Sequence, residues 1–386
     1  MKKIYNILFV AAFFVVLVLP LVLTDFRSGG ISEDENRMLA TFPPIIEGNR
    51  FNEDFTTDFE NWYRDHMGLR REMINLNASI QFSVFDRMLE NSDYHIGPYG
   101  DINYATEDMI KDYAHVNLRS DYYVQLYGDS YQTTADWLEE QGIAFFYVQC
   151  YDKHSIYPEQ FTRAVKQIGD VSKTDQIIGY LENQTKVNTI SLKKPLLEAK
   201  GQYEVYSNWG DPSHWSERGA FVGYQYIMEQ LQKGLGCELK VLQEQDYVIT
   251  VEECGITLNE VIHQDDMLEV FALRDPKARK TDNSVMAQWK DDYHTVWKNP
   301  EAGNDLKVLL LCDSYFNSYI VDDLAESFSE TWVIWADHMM ELPEMIELYQ
   351  PDVVIVENAE RVDRSYHMWK LAEKIVALQT PATEQG

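Results

Sequence analysis

Four short apolar runs constrain the fold more than any other feature of the chain. They are "IAFFYVQC" (Ile143 to Cys150), "KVLLLC" (Lys307 to Cys312), "ETWVIWA" (Glu330 to Ala336) and the "VVIV" of "PDVVIVENAER" (Pro351 to Arg361). Each is too short for a long helix, rich in β-branched and aromatic residues, and apolar at successive rather than alternate positions. That pattern is expected of a strand covered on both faces, as in a parallel sheet. Helical patterns lie between and around these runs: Asp121 to Gly142, "TDQIIGYLENQT" followed by the strand candidate "KVNTISL", "RGAFVGYQYIMEQLQKGLG", "YIVDDLAESF" and "MELPEMIELYQ". Helix and strand in alternation predict an α/β fold of three layers, a mostly parallel sheet flanked by helices. Residues 238–299 break the rhythm with the short strand candidates "YVITVEE", "EVFAL" and "TVWK". They are read as a small β-rich, antiparallel insertion.

The chain begins differently. Lys2 and Lys3 precede Ile4 to Thr24, a run of 21 residues without a charge. At about 1.5 Å per helical residue it spans a bilayer core of about 30 Å. The paired lysines favour a cytoplasmic N-terminus, which puts the remainder on the extracytoplasmic side. A cleaved signal peptide is the alternative; the length of the run and the absence of an A-x-A site in "DFRSGG" favour an uncleaved anchor. The expected organisation is a membrane anchor over 1–24, a connector over 25–50 carrying the turn signals "SGG", "ENR" and "FPP", and a catalytic body over 51–380. Phe55, Phe59, Trp62 and Tyr63 fall on one helical face, so Phe51 to Leu89 reads as one or two amphipathic helices opening that body.

With 386 residues, 45% of them hydrophobic, the chain can bury a sizeable core. Its 63 acidic residues outnumber 33 basic ones, a formal net charge of −30, which argues against nucleic acid as a partner. Cys150, Cys237, Cys254 and Cys312 lack any zinc-ligand spacing, and no metal site is expected. They read as small buried hydrophobes, with a Cys237–Cys254 bridge left open for an exported domain.

In a parallel sheet, chemistry is expected at the carboxyl ends of the strands. "KVLLLCDSYFNS" ends a strand candidate there and presents Ser314 at a strand-to-helix turn, either as a nucleophile or as the cap of the following helix. A serine needs a base. "WGDPSHWSERGA" (Trp209 to Ala220) offers His214 to take the proton and Asp211 to orient the ring; the alternative is that Asp211 or Ser213 caps a helix beginning near Ser216. The "GDS" at Ser130 lies within a helical pattern and reads as a decoy. Asp337 and His338 read as a solvated loop. Lys153 and His154 follow a strand end and are expected to line the cleft.

"DPSHWSERGAF" is similar to the D-x-H-W-x-x-x-G-A signature of the AlgX/AlgJ-type polysaccharide O-acetyltransferases and DHHW proteins of the SGNH hydrolase superfamily, and "LLLCDSYFNS" resembles their nucleophile block. "ENRMLATFP", "FTTDFENWYRDHMGLRREMI", "GIAFFYVQCYDKHSIYPEQF" and "PDVVIVENAER" resemble further family segments in the expected order, across most of 33–365. Two positions depart from the pattern: Asp211 stands three residues before the histidine where the family often has two, and Cys312 stands where glycine is usual. The resemblance implies an SGNH-like body with the triad Ser314, His214 and Asp211. It implies acetyl transfer to an exported or surface polysaccharide, without cofactor, beside a membrane-bound O-acyltransferase that supplies the acyl group. The Ser314 N–H and the Asn317 side chain are the oxyanion candidates, and Arg361 is expected to brace the site through Glu357 or a nearby loop. An acetyl esterase acting on surface glycans would use the same triad, and a non-catalytic surface assembly protein would retain a degenerate SGNH body.

Overall fold

The computed structural model describes residues 2–26, 30–32, 37–85, 87–89, 92–258, 262–289 and 293–380. The "SGG" and "ENR" signals lie in part outside the described residues. Two compact units result, one of residues 1–89 with 257–263 and one of residues 90–256 with 264–386.

In the first unit, helix α1 (Lys2–Val22) is apolar after its two leading lysines and Asn6, with a mean hydropathy of 2.6 over an 18-residue window, and its side chains are almost all exposed. It is long and apolar enough to be a membrane span or signal anchor. Helices α2 (Phe55–His66) and α3 (Arg70–Phe85) match the amphipathic pair read over 51–89. Trp62 on α2 is buried against Phe42 and Phe59, with ring centroids 4.8 and 5.6 Å away. The Asp65 carboxylate accepts the Ala40 N–H at 2.8 Å, so part of the connector is tied to α2. The body expected from residue 51 therefore loses its first two helices to this unit.

The second unit is built on a seven-stranded sheet. In chain order its helices and strands include α4 (Asp121–Glu139), β1 (Ala144–Cys150), α5 (Lys173–Gln184), β2 (Asn188–Ser191), α6 (Glu217–Leu235), the ribbon β3 (Tyr247–Leu258) and β4 (Ile262–Leu273), β5 (Arg279–Thr281), β6 (Thr295–Lys298), β7 (Lys307–Cys312), α7 (Ser314–Asn317), β8 (Glu330–Trp335), α8 (Leu342–Tyr349), β9 (Val353–Ala359) and α9 (Ser365–Gln379). The sheet order is β5-β6-β8-β7-β9-β1-β2; β8, β7, β9, β1 and β2 run parallel, and β6 and β5 add antiparallel at one edge.

Why the apolar runs are continuous is visible in β7. Val308, Leu310 and Cys312 face one core cluster with Tyr224, Ile227 and Leu231 of α6, whereas Leu309 and Leu311 face the other, with residues of α4, α5, α8 and α9. Side chains alternate across a strand, so a strand with helices on both faces must be apolar at every position. Each such Leu buried contributes about 1.5–3 kcal/mol. The three-layer mostly parallel α/β fold expected from the sequence is the one observed.

The 238–299 region divides in two. β3 and β4 pair as a separate two-stranded ribbon, and strands separated by only three residues can pair antiparallel but not parallel. "TVWK", however, is β6 and belongs to the central sheet, where it pairs with β8. Cys237 and Cys254 are unbridged, and Cys150 and Cys312 are buried thiols of the sheet whose pKa values burial pushes well above the ordinary value.

Candidate active site

Strand β7 delivers Ser314 to the carboxyl end of the sheet. The cap of α7 is Asp313, whose Oδ1 accepts the Tyr315 N–H at 3.1 Å, and Ser314 is the first helical residue. Its own N–H is one of the helix-initial groups with no acceptor inside the helix. Asp313 is held hard. Its Oδ2 accepts from the Ala359 N–H and from Arg364 Nη1, both at 3.0 Å, and its N–H donates to Glu357 Oε2 at 2.9 Å. The Asp313–Arg364 pair is almost wholly buried.

The loop before α6 supplies the partners. Ser216, not Asp211 or Ser213, caps α6: its Oγ accepts the Gly219 N–H at 3.1 Å and its N–H donates to the Val205 carbonyl at 3.0 Å. A Cβ on Gly219 would lie 2.2 Å from that same carbonyl, which explains the glycine of the W-x-x-x-G-A motif. Trp215 is buried edge-on to Tyr315, with centroids 5.3 Å apart. Released from capping, Asp211 turns back on its own loop. Its Oδ1 accepts from the Ser213 N–H and hydroxyl at 2.8 and 2.7 Å, which leaves Oδ2 for His214 Nδ1 at 2.9 Å. Three-residue spacing works because Pro212 and Ser213 form that turn. His214 Nε2 then meets Ser314 Oγ at 2.8 Å across 100 residues of sequence.

The electrostatics agree with this order. Burial alone would raise the Asp211 carboxyl, but its bonds with His214 and Ser213 hold it well below the usual carboxylate range. An ionised Asp211 places the His214 proton on Nδ1 and leaves Nε2 free to accept from Ser314. Tyr319 adds a donor, its hydroxyl giving Asp211 Oδ2 a bond of 2.9 Å. Burial and the Asp211 charge raise the phenol, so it stays protonated.

Ser314 and His214 line a cavity of about 320 Å³ together with Tyr94, Tyr104, Trp335 and Arg361. Arg361 donates to the Ser213 carbonyl and, at 3.0 Å, to the Tyr315 hydroxyl; its Nε lies 2.9 Å from Asp152. It braces the loop that carries Asp211 and His214, and Glu357 is taken by Asp313 instead.

Other expected residues are placed elsewhere. Lys153 is buried, with Nζ donating to the Ile102 and Ser207 carbonyls at 2.8 and 3.0 Å and lying 3.6 Å from Asp101, and it does not line the cleft. His154 is buried 3.8 Å from Glu360, again outside the cleft, and burial lowers its pKa. Asn317 lines a second, neighbouring cavity. Ser130 lies inside α4, its hydroxyl returned to the Leu126 carbonyl at 2.7 Å. Asp337 accepts from Arg364 Nε at 2.9 Å. Sequence reasoning missed Asp313, Tyr319 and Arg364 as parts of the site; only Asp313, an acid at a strand-to-helix turn, carried a local signal, that of a cap.

A family profile described as "SGNH hydrolase-like domain, acetyltransferase AlgX" matches residues 124–296. That segment contains Asp211 and His214, while Ser314 lies beyond its end. No curated protein matches the chain. Among solved structures, PatB1 of Bacillus cereus aligns with a TM-score of 0.50 at 18% identity, over 66% of this chain and 94% of its own. The O-acetyltransferase domain of Pseudomonas putida AlgJ aligns at 0.45 and 12% identity over 73% and 99%, and a DHHW family protein from Eubacterium siraeum at 0.44 and 14% over 65% and 88%. The likeness to PatB1 is one of fold. Residues 124–296 are thus similar to the SGNH hydrolase-like domain of the acetyltransferase AlgX family, on an α/β fold like that of PatB1.

Proposed function

We propose that the protein is a serine-dependent O-acetyltransferase that moves an acetyl group onto hydroxyls of an exported or cell-surface polysaccharide. The observation that carries this reading is the unbroken chain Asp211–His214–Ser314, with links of 2.9 and 2.8 Å, opening into a cleft. The acetyltransferase description of the matching family supports the choice of acyl group.

Ser314 Oγ attacks the acetyl carbonyl of the donor while its proton passes to His214 Nε2, and Asp211 stabilises the imidazolium. The departing alcohol or thiol takes that proton and leaves acetyl-serine. A sugar hydroxyl then gives its proton to Nε2, attacks the acetyl carbon and frees Ser314. The Ser314 N–H faces the developing oxyanion. The helix near the N-terminus would hold this domain at the extracytoplasmic face, where a membrane-bound O-acyltransferase passes the acyl group to it. The chemistry asks for no cofactor.

Incubation with a chromogenic acetyl ester, with and without a polysaccharide acceptor, tests this directly. The native protein is expected to release chromophore and label the acceptor with acetyl, and Ser314→Ala is expected to lower both by at least about 10³-fold. Release of acetate to water alone, with acceptor present, would favour the esterase; an unchanged rate in the variant would remove the acyl-serine altogether.

A further inference from the structure

A second cavity, larger than the serine cleft, adjoins the proposed triad. It measures about 530 Å³ and is lined in part by Tyr319, whose hydroxyl donates to Asp211. A volume of this size holds a sugar unit or two, and aromatic side chains form much of its wall. Phe221 and Phe271 stack with centroids 5.3 Å apart, and Tyr247 meets Phe271 edge-on at 5.4 Å. Aromatic faces offer stacking surfaces to pyranose C–H faces and attract cations.

The polar groups in the same wall are mostly anionic. Glu217, Asp322 and Asp323 line it, and among the described residues Lys280 is the one basic side chain that does. The Lys280 ammonium is drawn over the Trp297 ring, 4.9 Å from its centroid. Arg218, which lies over Phe271, does not line the cavity, and its charge is met by Glu269 and Glu244. Burial, with the neighbouring Asp322 and Glu217 charges adding to it, pushes the Asp323 carboxyl up to about 7. A cation placed beside such a carboxyl favours its ionised form. The buried Tyr247 hydroxyl lies against Asp323 and opposes part of that rise.

We infer that this cavity is an acceptor subsite for an amino sugar bearing a free ammonium, with the sugar ring against the aromatic wall and the nitrogen among Glu217, Asp322 and Asp323. The assignment rests on the acyl-transfer reading for its purpose, since Tyr319 joins the subsite to the triad, but its binding can be measured without it. A net charge of −30 on the chain draws the same class of polymer towards it.

The test compares a glucosamine tetrasaccharide, with amines protonated, against its N-acetylated counterpart, by calorimetry on the full chain in detergent. The charged tetramer is expected to bind at least about tenfold more tightly. The double variant Asp322→Asn/Asp323→Asn should erase that preference, and Lys280→Gln, which removes the competing ammonium without touching a carboxylate, should widen it. Equal binding of the two tetramers, or a double variant that keeps the preference, overturns the inference. Turnover of the chromogenic acetyl ester is read in parallel. Turnover retained with no preference sinks the subsite and leaves the acyl-transfer reading standing, whereas a preference without Ser314-dependent turnover does the reverse.

Discussion

At the level of single residues, the site depends on which polar side chain takes which local task. Ser216 caps α6 and Asp313 caps α7, and for that reason Asp211 and Ser314 are left for each other's partner, His214. Ser314, His214 and Asp211, the proposed triad, are visible in the sequence because each sits in a short local signature. The sequence does not make Arg364 visible, since the partners that explain a buried guanidinium, Asp313 and Asp337, come from other strand ends. Lys153 misleads for the same reason: from sequence a lysine after a strand reads as a cleft residue, but here two backbone carbonyls satisfy it in the interior. Glu360 is a further buried group with a measurable signature. Burial, with repulsion from Asp152, pushes its carboxyl up to about 8, although it accepts from the Asp152 N–H and the Ser155 hydroxyl. Below the unfolded pKa, about 4.3, both states hold the proton; between there and about 8 the folded state keeps a proton that the unfolded chain releases. Stability contributed by this group is therefore lost as pH rises through that window. Unfolding free energies from urea titrations at pH 5 and pH 8 should differ less in Glu360→Gln than in the native protein, by on the order of a few kcal/mol. An identical pH dependence in the two would show that Glu360 is ionised in the fold.

Among the elements, the ribbon of β3 and β4 is the one whose role the sequence conceals. Its strands alternate polar and apolar residues and read as an insertion, yet three groups on β4 fasten it beside the catalytic loop. Asp266 accepts from the Trp209 and Gly210 N–H groups at 2.7 and 3.2 Å, Glu269 forms a two-point ion pair with Arg218 of α6, and the Phe271 N–H donates to Glu217. The loop from Ser207 to His214 is thus pinned from two directions, by Asp266 and by Arg361. By contrast β6, which reads from sequence as part of this insertion, is a four-residue strand and carries too little pattern to show which sheet it joins. Asp266→Ala should leave the fold intact, as read by circular dichroism, and lower kcat about tenfold, because a base held less firmly spends less time in line with Ser314. KM for a small acetyl ester, which does not reach the ribbon, should not change. A variant with native kcat would mean that Arg361 alone suffices to hold the loop.

Over the whole chain, the α/β body was legible because helices on both faces force its strands to be apolar at every position, a pattern few other arrangements produce. The boundary near residue 89 was not, since α2 and α3 are amphipathic helices of a kind that also flank sheets, and only their contacts assign them to the first unit. The helix over Lys3–Val22 is legible by composition, and its consequence is topological. Lys2 and Lys3 stand before the apolar run, and the first charged residue after it is Asp25. Positive charge is retained on the cytoplasmic side, so this asymmetry predicts that residues after Thr24 lie outward. Leaving the run uncharged over its length makes it stable as a span, about 30 Å when helical. Full-length protein expressed in a bacterial host should sediment with membranes and resist extraction by salt or alkali, and a form beginning at Asp25 should be released to the soluble fraction. In spheroplasts, protease added outside should degrade the domain after residue 25 while a cytoplasmic marker survives. Exchanging Lys2 and Lys3 for glutamate and placing two lysines after Thr24 should reverse that protection in a measurable share of molecules, because the charge bias and not the length of the run sets the direction. Protection of the domain in the native protein would place Ser314 on the cytoplasmic side, away from any exported glycan, and the acetyl acceptor would then have to be an intracellular one.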